Sequence, residues 1–231
     1  MTTTASTMPP TTALADCAAA RGVSVWLTPP LRPLVPPRAA VSGPAVTVTI
    51  APGGGERGLT PLYEIVSSNF EGGILVIGAG GVAGAVFGEI LARAAIQAGL
   101  RGAAVDGAVR DVAQLYGLTF PLLASGEHTC GAAGIAHVVA TRHPVHIGTT
   151  SVSDGDLVVI DAAGAVCLPR EQATGLCEDG VHLAEAERRV LVDIAVGIPL
   201  TTAYEHKRAA LERIRGVASL TVSTNSRKGE L

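Results

Sequence analysis

The sequence contains few aromatic and few charged residues. Phe, Trp and Tyr make up 3% of the 231 residues and Asp, Glu, Lys and Arg make up 16%, whereas glycine occurs 28 times. The core must therefore be built from small and β-branched side chains, which implies close packing of the backbone. The net charge is −3 and the basic residues are scattered, so the sequence lacks the charge pattern of a protein that binds nucleic acid or an anionic membrane.

Cysteine pairs and targeting signals are also missing. The four cysteines form no CxxC pair and lie among apolar or small residues, which favours reduced thiols and a cytoplasmic location. Residues 1–12 have neither the basic nor the apolar region of a secretory signal, and we expect a disordered lead-in there. The uncharged stretch 72–88 is rich in glycine and short for a membrane span, so no membrane partner is expected.

Apolar patterns predict several short strands in a chain long enough to bury one compact core. The strands are predicted at 45–50, 74–77, 103–105, 120–124, 135–140 and 145–147. The segment 28–44 contains too many prolines for a helix or a central strand. It is predicted to be an extended connector on the surface.

The C-terminal part of the chain predicts a hairpin followed by two helices. Asp161-Ala-Ala-Gly164 separates the apolar segments 157–160 and 165–168, as in a hairpin whose register is fixed by its turn. Amphipathic periodicity then predicts helices at about 180–195 and 200–215. The tail from residue 216 to residue 231 is expected to be loose.

The stretch from Gly88 to Asp111 concentrates several structural signals in a short length of sequence. Apolar residues recur at helical spacing after Phe87, and Gly99 can adopt the left-handed conformation that ends a helix. A short strand at 103–105 follows, and the connection after it carries Arg110 and Asp111. Polar groups on such a connection are candidates for function.

A glycine motif just upstream allows a different interpretation. Gly78-Ala-Gly80-Gly81-Val-Ala83-Gly84 follows a strand and precedes a helix, the order that a dinucleotide-binding unit requires, with Asp106 as the later acid. The run of hairpins further along the chain argues against this interpretation. The alternative is a tight crossing from strand to helix without a cofactor.

Glu89, Arg110 and Asp111 together favour a divalent cation. The free N–H groups of residues 88–91 at the helix start would attract an anion, but Glu89 and Asp111 would repel it. A cation held by these carboxylates could still accept an anionic chelating substrate, and Mg²⁺ fits oxygen ligands with several retained waters. Arg110 would complement a carboxylate or a developing enolate.

Two structural alternatives stay open for these acids. Glu89 could simply pair with Arg93, four residues later on the same helix face. Asp111 could cap a short helix at 112–116, since aspartate is favoured at that position.

Three sequence segments, followed by a helical end rich in Glu and Arg, resemble the RraA-like family, which includes 4-hydroxy-4-methyl-2-oxoglutarate aldolases. The segments are GEILARAAIQAGLRGAAVDGAVRD, FPLLASG and VSDGDLVVIDAAGAVCLP. The similarity covers about residues 13–215, which we expect to form one domain. The resemblance implies an α/β fold, a single swivelling β/β/α domain with a helical C-terminal extension, assembled as a homotrimer or homohexamer with sites between subunits.

The resemblance also implies a site. Asp111 would bind Mg²⁺, or another divalent cation such as Mn²⁺, and Glu89 would bind it through water. Arg110 and the backbone amides of Gly88, Glu89, Ile90 and Leu91 would hold a small 2-oxo acid. Glu185 or Glu187 of a neighbouring subunit would complete the site, and the spacing does not choose between them.

The expected function is a class II-type carbon–carbon lyase that releases pyruvate from a 4-hydroxy-2-oxo acid and could also decarboxylate oxaloacetate. The same family includes regulators of ribonuclease E, which lack the acid after the arginine. Here Arg110 is followed by Asp111, which favours the enzyme. A non-catalytic, protein-binding regulator remains one alternative, and a related metal-dependent tautomerase or hydratase is another.

Overall fold

The computed structural model describes residues 8–27 and 30–226, with the side chains described up to residue 216. Residue contacts divide the chain into two compact units, one spanning Val25–Ala173 and the other formed by the segments on either side of it. The sequence prediction of a disordered lead-in concerns residues 1–12. Residues 1–7 lie outside the described part, and a helix begins at Thr11.

The unit Val25–Ala173 is built on a nine-stranded sheet. Its strands are β1 (Arg32–Val35), β2 (Val41–Pro52), β3 (Ile74–Gly78), β4 (Ala85–Phe87), β5 (Gly102–Val109), β6 (Leu122–Glu127), β7 (Ala136–Thr141), β10 (Leu157–Ile160) and β11 (Ala165–Leu168). A separate pair is formed by β8 (Val145–Ile147) and β9 (Thr150–Val152). The main path through the sheet is β1-β6-β5-β3-β2-β10-β11, with β4 paired to β5 and β7 paired to β2.

Helices connect the parallel strands at the centre of this sheet. Strands β2, β3, β5 and β6 pair in parallel, so each connection must return along the sheet. The three connecting helices are α2 (Thr60–Ile65), α3 (Glu89–Gln97) and α4 (Val112–Leu115). Buried residues of all three contribute to one apolar cluster with the sheet, and α3 contributes Ala92 and Ala95. These small side chains allow the helix to lie close to the strands, as the composition implies.

Two predictions from local sequence signals are confirmed, the β10-β11 hairpin and the end of α3 at Gly99. The hairpin β10-β11 pairs Leu157 with Leu168 and Ile160 with Ala165, the register predicted from its turn. Asp161 accepts hydrogen bonds from the turn amides of Ala163 and Gly164, which stabilises the turn. Helix α3 ends before Gly99, whose φ of 87° is the left-handed conformation that was predicted.

Three strands were not predicted from sequence, namely the short β9 and the strands β1 and β4. Strand β1 forms within the proline-rich segment and pairs with β6 at the end of the sheet path, where proline is tolerated because one edge needs no partner. Strand β4 follows the glycine motif and pairs with β5. The glycine loop therefore leads into a strand, and α3 begins only at Glu89. The dinucleotide-binding interpretation is wrong, because no helix N-terminus follows these glycines directly.

The second unit is helical. It contains α1 (Thr11–Ala20), α5 (Ala173–Ala195), α6 (Leu200–Ala203) and α7 (Glu205–Ser226). Arg21, at the C-terminal end of α1, donates to Asp179 of α5, with 2.6 Å between Nη2 and Oδ2. A loose tail was expected over residues 216–231. Helix α7 continues to Ser226, and residues 227–231 lie outside the described part. In the described residues, no helix is both long enough and apolar enough to cross a bilayer.

The predicted fold class is confirmed. The chain has a mixed α/β fold of the swivelling β/β/α type, with a helical segment at its C-terminal end.

Candidate active site

The candidate site forms where strands β4 and β5 end side by side. The two strands run in parallel, so Gly88 and Arg110, which follow them, emerge at the same edge of the sheet. The Arg110 N–H donates to the Phe87 carbonyl at 3.0 Å, which ties the two strand ends together. In sheets with parallel strands, ligands bind beyond the carboxyl ends of the strands.

Asp111 adopts a backbone conformation that is rare for residues other than glycine. Its φ is 61° and its ψ is 28°, in the left-handed region, which costs about 1–2 kcal/mol for most side chains and less for Asp or Asn. Its side chain makes no capping hydrogen bond to α4, so the capping alternative is wrong. The Asp111 Oδ2 instead accepts the Glu89 amide N–H at 3.4 Å. The strained backbone thus directs the carboxylate to the start of α3.

Arg110 lies beside this carboxylate. Its Nε is 3.6 Å from Asp111 Oδ2, and both side chains remain partly exposed. A Cβ on Gly131 would lie 3.2 Å from Arg110 Nη1, so that glycine leaves room for the guanidinium. A Cβ on Gly88 would lie 2.9 Å from Asp111 Oδ2, although the extended backbone of Gly88, with φ of −173°, would accept any residue. A Cβ at position 88 would therefore displace the Asp111 carboxylate from the position described here.

Glu89 forms an ion pair with Arg93, which the sequence analysis gave as its structural alternative. Arg93 Nε donates to Glu89 Oε1 at 2.8 Å, one turn along α3. This pair lies at the helix surface and contributes about 0.3–0.5 kcal/mol. Since Arg93 is mostly exposed, Glu89 can exchange this partner for a water or another ligand at little cost.

A cavity of about 300 Å³ opens beside these groups. Its lining includes Gly88, Arg110 and Asp111 together with apolar side chains of α2 and α3. The volume matches the lower end of small-molecule sites. The amides of Ile90 and Leu91 belong to the first turn of α3 and have no acceptor within that helix, so they are available to an anionic group, whereas the amide of Glu89 already donates to Asp111 Oδ2. The residues predicted to bind substrate therefore lie together.

The two C-terminal acids pair with basic residues of their own unit. Hydrogen bonds from Arg188 lower the pKa of Glu185 to about 2, with a further contribution from Arg189. Glu187 accepts from Lys207 Nζ at 2.7 Å. Within residues 8–27 and 30–226, no group of three or more His, Cys, Asp or Glu side chains could enclose a metal ion. Any cation at Asp111 would therefore have few ligands from a single chain.

Comparison with known proteins identifies the family. A family model described as RraA-like, Aldolase/RraA, matches residues 11–167. The chain belongs to the RraA-like family. A member from Halalkalibacterium halodurans, named "Putative 4-hydroxy-4-methyl-2-oxoglutarate aldolase", is 31% identical over 162 residues, 68% of this chain and 75% of that protein. The protein DlpA of Legionella pneumophila is 25% identical over 120 residues. These residues are 52% of this chain but only 20% of DlpA.

Solved structures agree with the RraA-like assignment. An uncharacterized protein from Pseudomonas syringae pv. tomato superposes with a TM-score of 0.72 at 25% identity, covering 84% of this chain and 92% of that chain. Streptomyces coelicolor RraAS2, described as an unusual member of the RNase ES inhibitor RraA protein family, gives a TM-score of 0.66 at 26% identity. That match covers 77% of this chain and 88% of the other. The resemblance read from the sequence is confirmed.

One part of the site was missed by sequence reasoning. The segment around Gly131 and Ala132 lines the cavity and packs against Arg110 and Gly84. A backbone hydrogen bond joins this segment to β4, since the Ala85 N–H donates to the Cys130 carbonyl at 2.8 Å. The only available signal was the small-residue run 130–134, which is too common in this chain to be specific.

Proposed function

We propose that this RraA-like chain is a divalent-metal-dependent lyase that cleaves a 4-hydroxy-2-oxo acid to pyruvate, with oxaloacetate decarboxylation as a second reaction of the same site. The observation that carries the proposal is the meeting of the Asp111 carboxylate, the Arg110 guanidinium and the first amides of α3 at one cavity. The name of the Halalkalibacterium relative supports the same reaction class.

The side chains at this site are suited to Mg²⁺ or Mn²⁺. Both ions accept oxygen ligands, and Mg²⁺ in particular keeps several waters and needs only one or two carboxylates. Asp111 would bind directly, since its carboxylate is partly exposed, and Glu89 would bind through water. Glu185 or Glu187 from a neighbouring subunit of a homotrimer or homohexamer would supply the remaining contact. When bound, the cation would act as a Lewis acid toward the keto and carboxylate oxygens of the substrate.

Groups of the protein itself would bind the substrate, stabilise the developing charge and accept the proton. The amides of Ile90 and Leu91 would donate to the substrate carboxylate at the positive end of α3, while the Glu89 amide holds Asp111. Arg110 would donate to the C2 oxygen, where negative charge develops as the C3–C4 bond breaks. The C4 hydroxyl must lose its proton as it becomes a carbonyl, and in our proposal a water held by Glu89 accepts that proton.

The test is pyruvate release from 4-hydroxy-4-methyl-2-oxoglutarate and from oxaloacetate, with Mg²⁺ and with excess chelator. We expect turnover that the chelator abolishes and that added Mg²⁺ restores. Absence of pyruvate under every condition would overturn the proposal. Consumption of the substrate without pyruvate would instead indicate a tautomerase or hydratase.

A further inference from the structure

A second cavity, of about 350 Å³, adjoins the candidate site. Arg110 and Asp111 line it, as they line the first cavity, and the end of β6 contributes Glu127 with the following His128 and Thr129. The cavity therefore brings an imidazole to the two residues on which the proposed lyase function depends.

Backbone hydrogen bonds hold His128 beside Arg110. Strand β6 pairs in parallel with β5, with Val109 opposite Glu127, and the His128 N–H donates to the Val109 carbonyl at 2.9 Å. Arg110 follows Val109 directly. Further along the same segment, a Cβ on Gly131 would lie 3.2 Å from Arg110 Nη1. The segment that carries His128 therefore lies beside the Arg110 guanidinium.

The imidazole ring of His128 is turned toward the residues that follow it. The Cys130 N–H donates to His128 Nδ1 at 3.0 Å, and the Cys130 carbonyl oxygen lies 3.1 Å from the same nitrogen. An unprotonated Nδ1 can accept the N–H, and a protonated Nδ1 can donate to the carbonyl. Because both states of Nδ1 have a backbone partner, Nε2 can exchange a proton with a ligand while the ring stays in place.

The lyase reaction requires a proton at C3 after the C3–C4 bond breaks. The enolate shares its negative charge between C3 and the C2 oxygen, and Arg110 is assigned to that oxygen. A donor to C3 must lie close to Arg110, because C3 is bonded to C2. Histidine exchanges protons readily near neutral pH, whereas a glutamate such as Glu127 is ordinarily ionised there and is the poorer donor.

We propose that His128 is the acid that protonates C3 of the pyruvate enolate. The inference rests on the proposed lyase function and assigns its last proton transfer. The Nε2–H bond of the imidazolium breaks, the electron pair of the enolate C2–C3 double bond forms the C3–H bond, and the C2 oxygen becomes the keto oxygen of pyruvate. His128 is left neutral with its proton on Nδ1, donating to the Cys130 carbonyl. Since His128 is exposed, water can return a proton to Nε2.

The decisive experiment follows the methyl protons of pyruvate in D₂O with Mg²⁺ by proton NMR. Reversal of the proposed step removes a proton from C3, so the wild-type protein should exchange these protons for deuterium. His128→Gln keeps an N–H donor near the position of Nε2 but cannot transfer its proton, so exchange should fall at least about 100-fold. Exchange within about threefold of the wild-type rate would overturn the inference. Absence of exchange in a wild-type protein that releases pyruvate would also overturn it.

Two further variants separate proton transfer from support of the segment. In His128→Asn the shorter amide can still accept the Cys130 N–H, so a purely structural role would survive this change and proton transfer would not. We therefore expect His128→Asn to lose exchange as His128→Gln does, and wild-type exchange in it would overturn the inference. Free imidazole should restore part of the rate in His128→Ala, which requires that the variant is folded.

His137→Gln is the matched control. Its ring nitrogen Nδ1 also lies near a backbone carbonyl, 3.2 Å from the Gly53 oxygen, but His137 lines a different cavity. This substitution should leave the exchange rate unchanged. A loss of exchange equal to that in His128→Gln would show that the assay does not report on His128, and would overturn the inference.

The order of the steps separates failure of this inference from failure of the lyase function. Because protonation follows cleavage, single-turnover release of CO₂ from oxaloacetate should change less than about fivefold in His128→Gln. Equal loss of CO₂ release and of exchange would place His128 in an earlier step and overturn the inference, with the lyase retained. Exchange that depends on His128, without cleavage of oxaloacetate or of any 4-hydroxy-2-oxo acid, would instead sink the lyase proposal and retain His128 as the proton donor to C3.

Discussion

The Asp111 carboxylate accepts the amide hydrogen of Glu89 at 3.4 Å, although 22 residues separate them in sequence. The contact joins the start of α3 to the connection after β5. It places a negative charge at the positive end of a helix, where about 0.3–1 kcal/mol of stabilisation is usual. A carboxylate held in this way, yet partly open to solvent, is the group in the cavity best suited to bind a cation.

Replacement of Asp111 by Asn should therefore abolish metal-dependent turnover while the fold persists. Asn tolerates the left-handed backbone at this position, whereas Ala would add strain. We expect kcat/KM to fall by more than about 100-fold, beyond the loss usual for outer-shell groups. The free energy of unfolding should change by less than about 1 kcal/mol. Pyruvate assays, Mn²⁺ binding by electron paramagnetic resonance and urea denaturation measure the three quantities, and full turnover in the variant would contradict the metal role.

Arg110→Lys separates charge from geometry. Lysine keeps the positive charge but loses the planar guanidinium that can donate two hydrogen bonds together. We expect kcat to fall about 100-fold to 1000-fold, as for removal of one oxyanion donor, with Mn²⁺ affinity unchanged. The backbone bond from Arg110 to Phe87 is unaffected by the substitution, so stability should be retained. Wild-type kcat in this variant would show that charge alone suffices.

Lys207 should stabilise the helical unit. It donates to Asp16 and Glu187 at 2.8 and 2.7 Å. Burial alone would lower the pKa of Lys207, but these hydrogen bonds outweigh burial and raise it above its usual range. Lys207→Met should cost about 1–2 kcal/mol of unfolding free energy, because both carboxylates are partly exposed and screened.

The pH dependence of that cost follows from the direction of the shift. Because the folded pKa is raised, the contribution is complete below the unfolded value of about 10.4 and is lost as pH rises through the folded pKa. The difference between wild type and Lys207→Met should therefore be constant from about pH 7 to 9 and shrink in stronger alkali. Urea denaturation followed by circular dichroism measures it. Arg208→Met is the control, since its exposed pair with Glu205 should contribute at most about 0.5 kcal/mol.

The four cysteines should differ sharply in reactivity. Burial raises the pKa of the Cys17 thiol to about 12, and burial also raises the pKa of Cys167 and Cys177. Cys130 is exposed. Iodoacetamide at pH 8 should therefore label native protein at Cys130 first, and all four cysteines only in denaturant. Mass spectrometry of tryptic peptides reads the sites. Labelling of Cys17 or Cys167 at the rate of Cys130 would contradict the burial.

Much of the fold could be predicted because its signals are local. The hairpin around Asp161 is specified by its own turn, and the end of α3 by Gly99. Strand β1 could not be predicted, because its partner β6 lies about ninety residues further along the chain and its prolines argue against a strand. Strand β4 has only three residues and depends on pairing with β5. Non-local pairing therefore overrides local composition at both strands.

The candidate site was predictable in part for a similar reason. Glu89, Arg110 and Asp111 carry charges whose mutual arrangement can be reasoned about, and they lie in the segment that resembles the family. Gly131 carries no such signal, since its contribution is the space that it leaves for Arg110. The left-handed backbone at Asp111 could not be predicted from the sequence either, because an aspartate before a short helix is equally typical of an ordinary N-cap.

Gly88→Ala should disturb the site without disrupting the sheet. The added Cβ would lie 2.9 Å from Asp111 Oδ2 and 3.0 Å from Arg110 Cγ, so both side chains must move. Misplacement of this size should lower kcat/KM at least about tenfold, while loss of glycine at the helix start costs only about 1 kcal/mol. Gly80→Ala is the matched control, because a Cβ there meets nothing within 4 Å. Equal activity of Gly88→Ala and Gly80→Ala would show that Arg110 and Asp111 do not act from the positions described. Their arrangement around the α3 amides would then have no role in the mechanism.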